Sequence, residues 1–514
     1  MTIIRRTFLS GLMSVSLLAS QFAGIGVGPA SAMEDGVLSI AQGFDPVSLW
    51  PNYSTTQEQI NVGSLIVEPL FWVPPDSDEA QPILAEGYEL VDDKTVRISL
   101  RKNIKFTNGE PFNADAVVHS FDIFTDIKTT PAYGRYSVVI DRAEKVDDYT
   151  VMLHLKQRYP ALNLVLSQVF IVPPGYWQEV GGPDGFGSKP IGTGPFQLAD
   201  WVRDSELVME ANPDYWGEAP EGIERIVLRP IPDDMVRASA LMAGEFDIAT
   251  NVPIAASAQI SGQSSLEVMS IPSYRIFTVS LSNLPGQESP LHDVRVRQAI
   301  NYAVDKEGII KGLFQGQARS LNGQLLRKEQ VGFNPEIGDY PYDPEKAKAL
   351  LAEAGYPDGF DITFKFPTGR YAQDREVAEA VAGMLGAVGV RTQMVSLEPG
   401  EFLRQLSGRE LQPMGYVGLA PADDPDLQLS QYRSDWRYSY VNNPELDALI
   451  DAGGSELDRA KRDEIYRKTM RIIHDQAHVL FLYQGVDLYG VSERVDGFAP
   501  RGDQRWVIYG MSLK

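Results

Sequence analysis

Three aspartates crowd into "GLAPADDPDLQLSQY" (residues 418–432), where Asp423, Asp424 and Asp426 flank Pro425 behind the apolar run Met414-Gly415-Tyr416-Val417. Clustered carboxylates can bind calcium, do acid/base chemistry, hold a cationic ligand or shape a turn. A calcium loop needs oxygens at alternate positions, then Gly, then a distant Glu, and Pro425, Leu427 and Leu429 break that pattern. "HDQAH" places His474 and His478 one helical turn apart, the spacing of two metal ligands. The slot that carries the basic Glu of H-E-x-x-H holds Asp475 instead, and no third ligand is evident. The chain contains no G-x-S-x-G, S-x-x-K or P-loop. "GGPDGFG" lacks the strand-before, helix-after setting of a phosphate loop, and "RGD" at 501–503 is three common residues.

The bulk of the chain narrows the choice. Its 514 residues predict several domains, and 43% hydrophobic with 22% charged content is that of a soluble globular protein. A net charge of −23 argues against a nucleic-acid binder, which needs basic surface to neutralise phosphates. The first 32 residues read as a signal peptide: Arg5-Arg6, a small and apolar Phe8 to Gly28, then the cleavage pattern Ala30-Ser31-Ala32. Arg5-Arg6-Thr7-Phe8-Leu9 carries a hint of the twin-arginine route, and the general secretory route stays open beside it. Losing the two leader arginines takes the mature chain, starting near Met33, from −23 to −25. The absence of cysteine removes disulfides, thiol catalysis, Cys-ligated metals and a lipidated N-terminus. After residue 32 no stretch approaches the ~18 apolar residues of a membrane span. The expectation is a free periplasmic protein, not embedded in a membrane.

The elements that must position any site are legible. Thr95–Leu100 and Thr150–Leu155 alternate as half-buried strands, each behind a Val-Asp-Asp turn ("VDDKTVRISLR" and "VDDYTVMLHLK"). Shared turn chemistry accounts for the match, with an internal duplication as the alternative. Asn113 caps a helix carrying Val117, Phe121 and Phe124; Asp343-Pro344-Glu345 opens another with Ala347, Leu350 and Leu351 on one face. Further helices are predicted in "DVRVRQAINYAVD" and "RDEIYRKTMRIIHDQAH". Residues 181–196 and 281–293, rich in Gly and Pro, and the stretch after Gly490 suggest three crossings between lobes.

Several phrases together resemble one family. "LRKNIKFTNGEPFNADAVVHSFD" (100–122), "GTGPF" (192–196), "NPDYWG" (212–217), "PLHDVRVRQAINYAVDKEGI" (290–309) and "YDPEKAKALLAEAGYPDGF" (342–360) are similar, in order, to segments of the peptide/nickel-type solute-binding proteins of ABC importers, extracellular solute-binding family 5. The resemblance implies an α/β, type II periplasmic-binding-protein fold: a two-lobed Venus flytrap of mixed sheets with an extra domain. By that likeness lobe I is 33–70, 190–282 and 492–514, the extra domain 71–189, and lobe II 283–491. It further implies a monomer that captures a small solute and delivers it to a cognate permease and ATPase, with no cofactor and no chemistry on the ligand. Family members bind peptides, nickel complexes, haem, oligosaccharides and opine-like compounds.

In the dipeptide binders of that family, the segment similar to 415–426 begins G-W-x-G-D, and its first Asp pairs with the ligand's ammonium. Matched forward from Gly415, that position is Leu419; matched backward from "DDPD" it is Pro421. Neither is an acid, which leaves Asp423 as a substitute or a ligand without a free amino terminus. Arg370, in "FPTGRYAQDREVAEAV", falls close to the family's carboxylate-binding arginine, whose guanidinium takes a carboxylate or phosphate with two bonds. Tyr53, Tyr274, Tyr416 and Trp436, with Trp50, fall in segments expected to line the cleft and offer stacking faces. The solute is therefore expected to be peptide-like, opine-like or an oligosaccharide. Two alternatives remain: a secreted metal-dependent hydrolase built on His474, His478 and the aspartates, and a ligand-sensing receptor protein.

Overall fold

The computed structural model describes residues 34–54, 56–74, 77, 79–130, 133, 139–286, 288–419, 424–506 and 508–514. The signal peptide over 1–32, Pro421 and Asp423 lie outside the described residues. The two Val-Asp-Asp phrases form matching hairpin turns. Asp92 accepts the Lys94 N–H and Asp147 the Tyr149 N–H, both at 2.8 Å, so the aspartates rather than an ancient duplication suffice to explain the likeness. Their strands join an antiparallel sheet in the order Ala85–Asp92, Thr95–Leu100, Thr150–Leu155, Ile140–Asp147. The helix Ala114–Thr125, capped by the Asn113 side chain, lays Val117, Phe121 and Phe124 on one face of it.

The rest of the chain hangs on one mixed sheet of eleven strands. At its centre Leu266–Leu281 and Val479–Ser492 run antiparallel over their whole length. On one side follow Ile248–Ala249, Val37–Gln42, Arg225–Pro230, Glu206–Ala211 and Phe196–Val202; on the other, Met414–Gly418, Phe360–Pro367 and Val390–Leu397. Each side has its own core. Leu38, Ile40, Ile226, Phe196 and Tyr489 belong to one; Val279, Ile300, Phe364, Val381 and Tyr416 belong to the other. A third core, from Leu70 to Ile171, underlies the four-stranded sheet. Trp177 and Phe186, on the short helices Pro174–Glu179 and Pro183–Ser188, pack into the first core with Trp50.

"GTGPF" packs closely against the backbone at Ile66. Gly194 donates to the Ile66 carbonyl at 2.9 Å, and a Cβ on Gly192 would sit 1.8 Å from that same oxygen. Only glycine lets the two backbones pass so closely. Beside it lies Glu68, with no exposed surface. Its carboxylate accepts from Thr193 Oγ1 (2.8 Å), Tyr215 Oη (2.8 Å), Trp216 Nε1 (2.9 Å) and Tyr509 Oη (3.2 Å). Burial pushes the Glu68 pKa up, and these donors oppose that rise. One carboxylate thus ties "VEPLF", "GTGPF", "NPDYWG" and the C-terminal tail together. Glu68→Ala strands these donors and is expected to cost roughly 3–5 kcal/mol in urea denaturation. A loss below about 1 kcal/mol would show that water replaces the carboxylate.

Candidate functional site

The two central strands lose their register between Pro272 and Ile276. Pro272 has no N–H to give the ladder, and the backbone swings away from it. The Tyr274 N–H instead donates to the Gly502 carbonyl (2.5 Å), and Gln484 Nε2 holds the Ser273 carbonyl (2.8 Å). This break forms one wall of a cleft of about 770 Å³. Ile271, Pro272, Tyr274 and Gln484 line it from the central strands, Pro500–Gly502 from the tail. Tyr88 and Leu164 contribute from the four-stranded domain, Arg327, Asp424 and Arg462 from the second lobe.

The cleft is rich in arginine although the chain is strongly acidic, and most of that charge is engaged. Arg462 gives two bonds to Asp424, at 2.8 and 2.7 Å, with both side chains buried. Arg327 lies 3.8 Å over the Tyr274 ring. Arg501 donates to the carbonyls of Val73 (2.6 Å) and Pro74 (3.0 Å), and Arg459 stands 3.5 Å from Glu79.

Two other guanidiniums are less committed. Asp374, 4% exposed, accepts the N–H groups of Gly369 (3.2 Å), Arg370 (2.9 Å) and Tyr371 (3.0 Å). This tight loop presents Arg370 at the surface, its Nε 3.1 Å from the Tyr371 hydroxyl. Arg275, released from the strand by the register break, reaches the same ring. The guanidinium carbons lie 5.8 Å (Arg275) and 5.3 Å (Arg370) from the Tyr371 centroid. Arg275 makes only long bonds, 3.4 Å to the Gly418 carbonyl and 3.5 Å to that of Leu419. Among the described residues neither arginine has a carboxylate within ion-pair distance. Burial above all, and the neighbouring Arg370 charge, push the Arg275 pKa down.

The other expected site residues are dispersed. Tyr274 lines the cleft. Leu419 is half-buried and extends a ladder, its N–H donating to Ile276 O at 2.9 Å. Tyr416 is fully buried: its hydroxyl is 2.6 Å from that of Tyr483, and its ring stacks on Phe277. It offers the solute no face, because an all-buried strand turns alternate side chains into two cores rather than one core and a cleft. Trp50 is likewise core, edge-on to Trp177 at 4.9 Å. Tyr53 and Trp436 do not line the cleft; the Trp436 carbonyl is bound by Arg409. The aspartate cluster resolves into structural parts. Asp424 caps the helix Pro425–Leu429 and pairs with Arg462, while burial and the Asp424 charge push Asp426 up to about 6.

The hydrolase alternative loses its ligand set. His474 stacks on Tyr340 at 4.6 Å and meets Asp475 at 2.9 Å; His478, 2% exposed, faces Asn443 at 3.2 Å. No group of three or more metal-ligating side chains forms among the described residues. Sequence reading missed Arg275 and, on the partner strand, Asp487. The available signal was a single charge inside an otherwise apolar buried strand, "PSYRIFTVSL" and "VLFLYQGVDLYGV".

Comparison with known proteins follows the same lines. Residues 79–440 match the family described as "Bacterial extracellular solute-binding proteins, family 5 Middle". The dipeptide-binding protein of Escherichia coli (strain K12) is 33% identical over 454 residues, covering 82% of this chain and 84% of the relative. HbpA2 from Haemophilus parasuis superposes with a TM-score of 0.83 at 27% identity, over 93% of this chain and 100% of that one. AgaA from A. tumefacien R10, solved with agropinic acid, gives 0.76 at 25% identity, over 93% and 99%.

The buried His478 generates a pH prediction. Burial, then the Arg297 charge, hold its pKa down to about 3. The unfolded chain takes up a proton below about pH 6.5 that the folded chain refuses, so stability falls as pH drops through that value. By pH 5 this one group is expected to cost roughly 2 kcal/mol, and His478→Gln should flatten the pH dependence of the urea midpoint by that amount. Parallel profiles for wild type and variant would refute the assignment.

Proposed function

The chain belongs to the bacterial extracellular solute-binding proteins of family 5, and from that premise we propose that the solute it captures is an acidic small molecule. The protein is the substrate-binding component of an ABC importer, with the type II periplasmic-binding-protein fold of its structural neighbours. Among the described residues no helix is long and apolar enough to cross a membrane. In our reading it binds its solute without altering it, and is exported by a leader cleaved near Ala32.

The observation that carries the acidic solute is the pair Arg275 and Arg370 on Tyr371. Two guanidiniums with no carboxylate in ion-pair distance among the described residues, one of them largely buried, are unfavourable alone and become favourable when an anion takes their donors. AgaA, a structural neighbour, was solved with an acid, agropinic acid, which agrees with this choice. Closure follows from the same placement. Arg275 is rooted in the central strands and Arg370 in the second lobe, so a ligand that bridges them and the first lobe favours the closed arrangement over the open one.

Native mass spectrometry of freshly purified protein is expected to show a co-purified mass that is lost on acid extraction and identified as a carboxylate or phosphate. Arg275→Gln and Arg370→Gln are each expected to weaken that ligand at least tenfold, about 1.4 kcal/mol, in calorimetry. Capture of a neutral oligosaccharide with unchanged affinity in both variants would overturn the reading.

A further inference from the structure

Asp487 lies on the strand Val479–Ser492, directly opposite Ile271 and one residue from where the register breaks at Pro272. Paired residues on antiparallel strands point to the same face. Ile271 lines the cleft, so Asp487 stands beside a wall residue on the cleft side of the sheet. Asp487 sits directly behind the lining residues: its Oδ1 accepts from Gln504 Nε2 at 2.7 Å, and Gln504 closely follows the lining residues Arg501 and Gly502.

Asp487 is 8% exposed, and its second oxygen, Oδ2, has no partner in hydrogen-bond geometry among the described residues. Among the described residues no cation lies within ion-pair distance of it. The nearby Ser273 hydroxyl lies 3.5 Å from the Gly502 carbonyl, accepts the Arg275 N–H at 3.3 Å, and with Gln504 opposes the effect of burial on Asp487. Asp503 is a second acid whose charge Asp487 feels, and the Asp487 charge in turn acts on Glu58, in the first turn of the helix Gln57–Ser64. Burial pushes Asp487 up to about 6, and Arg275, although close enough to oppose this, does not offset it.

Arg275 and Asp487 therefore pose one puzzle. They are opposite charges within each other's field, both largely buried, both short of partners, and they do not meet. Buried charges that fail to pair are costly, and a native structure keeps them where a third group completes them. A group carrying both signs satisfies the two at once.

We propose that Asp487 holds a cationic group of the solute, so that the solute is a zwitterion with an ammonium on Asp487 and its acidic end on Arg275 and Arg370. The acid absent at Leu419 is thus supplied from the central strand rather than from the loop 419–423. This rests on the reading of the arginine pair as the acidic subsite. It makes the solute an amino-acid conjugate that retains a free amine, not a sugar or an N-acylated acid.

Matched probes test it by calorimetry: L-glutamyl-L-glutamate and glutathione, each with its N-acetylated counterpart. Wild type is expected to bind at least one free-amine probe and to prefer it over the acetylated form by tenfold or more, about 1.4 kcal/mol, as loss of a buried charge partner requires. Asp487→Asn keeps the shape and the Gln504 contact, and is expected to abolish that preference while acetylated probes bind no worse. Without ligand its melting temperature is expected to equal or exceed that of wild type, since a neutral amide replaces a carboxylate that burial disfavours; a fall would mark a structural role and overturn the assignment. A preference that survives in Asp487→Asn, or wild type that ignores both free-amine probes, overturns it too. If only acetylated acids bind and Arg370→Gln weakens them, the acidic subsite stands and the role of Asp487 falls. Binding of a neutral sugar alone removes both.

Discussion

Everything that faces the solute depends on one constraint: two strands, Leu266–Leu281 and Val479–Ser492, must serve both lobes at once. On either side of the break the strands pair as a ladder: Leu266–Ile271 is half-exposed, and Ile276–Leu281 is buried with a second register shift between Phe277 and Thr278. The middle does not pair, because Pro272 breaks the hydrogen bonding and the chain resumes register only at Ile276. The break frees Tyr274 to line the cleft and leaves Arg275 at the Tyr371 ring beside the Gly418 and Leu419 carbonyls.

The charges around that break are of two kinds. Some finish the fold: Asp424 with Arg462, Asp374 with three backbone N–H groups, Arg501 with the carbonyls of Val73 and Pro74. Each is buried, satisfied and therefore inert. Arg275, Arg370 and Asp487 are different, because their immediate surroundings leave donors and an acceptor unused. In a protein interior that contrast separates structure from recognition more sharply than residue type does.

The phrases by which the chain resembles its family turn out to be mostly of the first kind. Thr193 of "GTGPF" and Tyr215 and Trp216 of "NPDYWG" meet at the buried Glu68, and the Asp343 cap of "YDPEKAKALLAEAG" accepts the Lys346 N–H at 2.9 Å. Such segments say which fold will form. They are silent about the solute, which is why family and architecture could be read well before any ligand-binding residue.

The sequence by itself determined the local elements and their capping, the twin Val-Asp-Asp turns, the family, and the failure of the aspartate cluster as a calcium loop, because these rest on spacing of 2, 3.6 or a few residues. It could not tell that Tyr416 and Trp50 are buried in cores, since an aromatic side chain reads alike whether it faces a core or a cleft. Only the tertiary structure decided that Asp424 belongs to Arg462, 38 residues away, and that Asp487 and Arg275 stand near one another unpaired. Burial and pairing are relations between distant segments, and the free energy of a charge depends on them rather than on its neighbours in the chain.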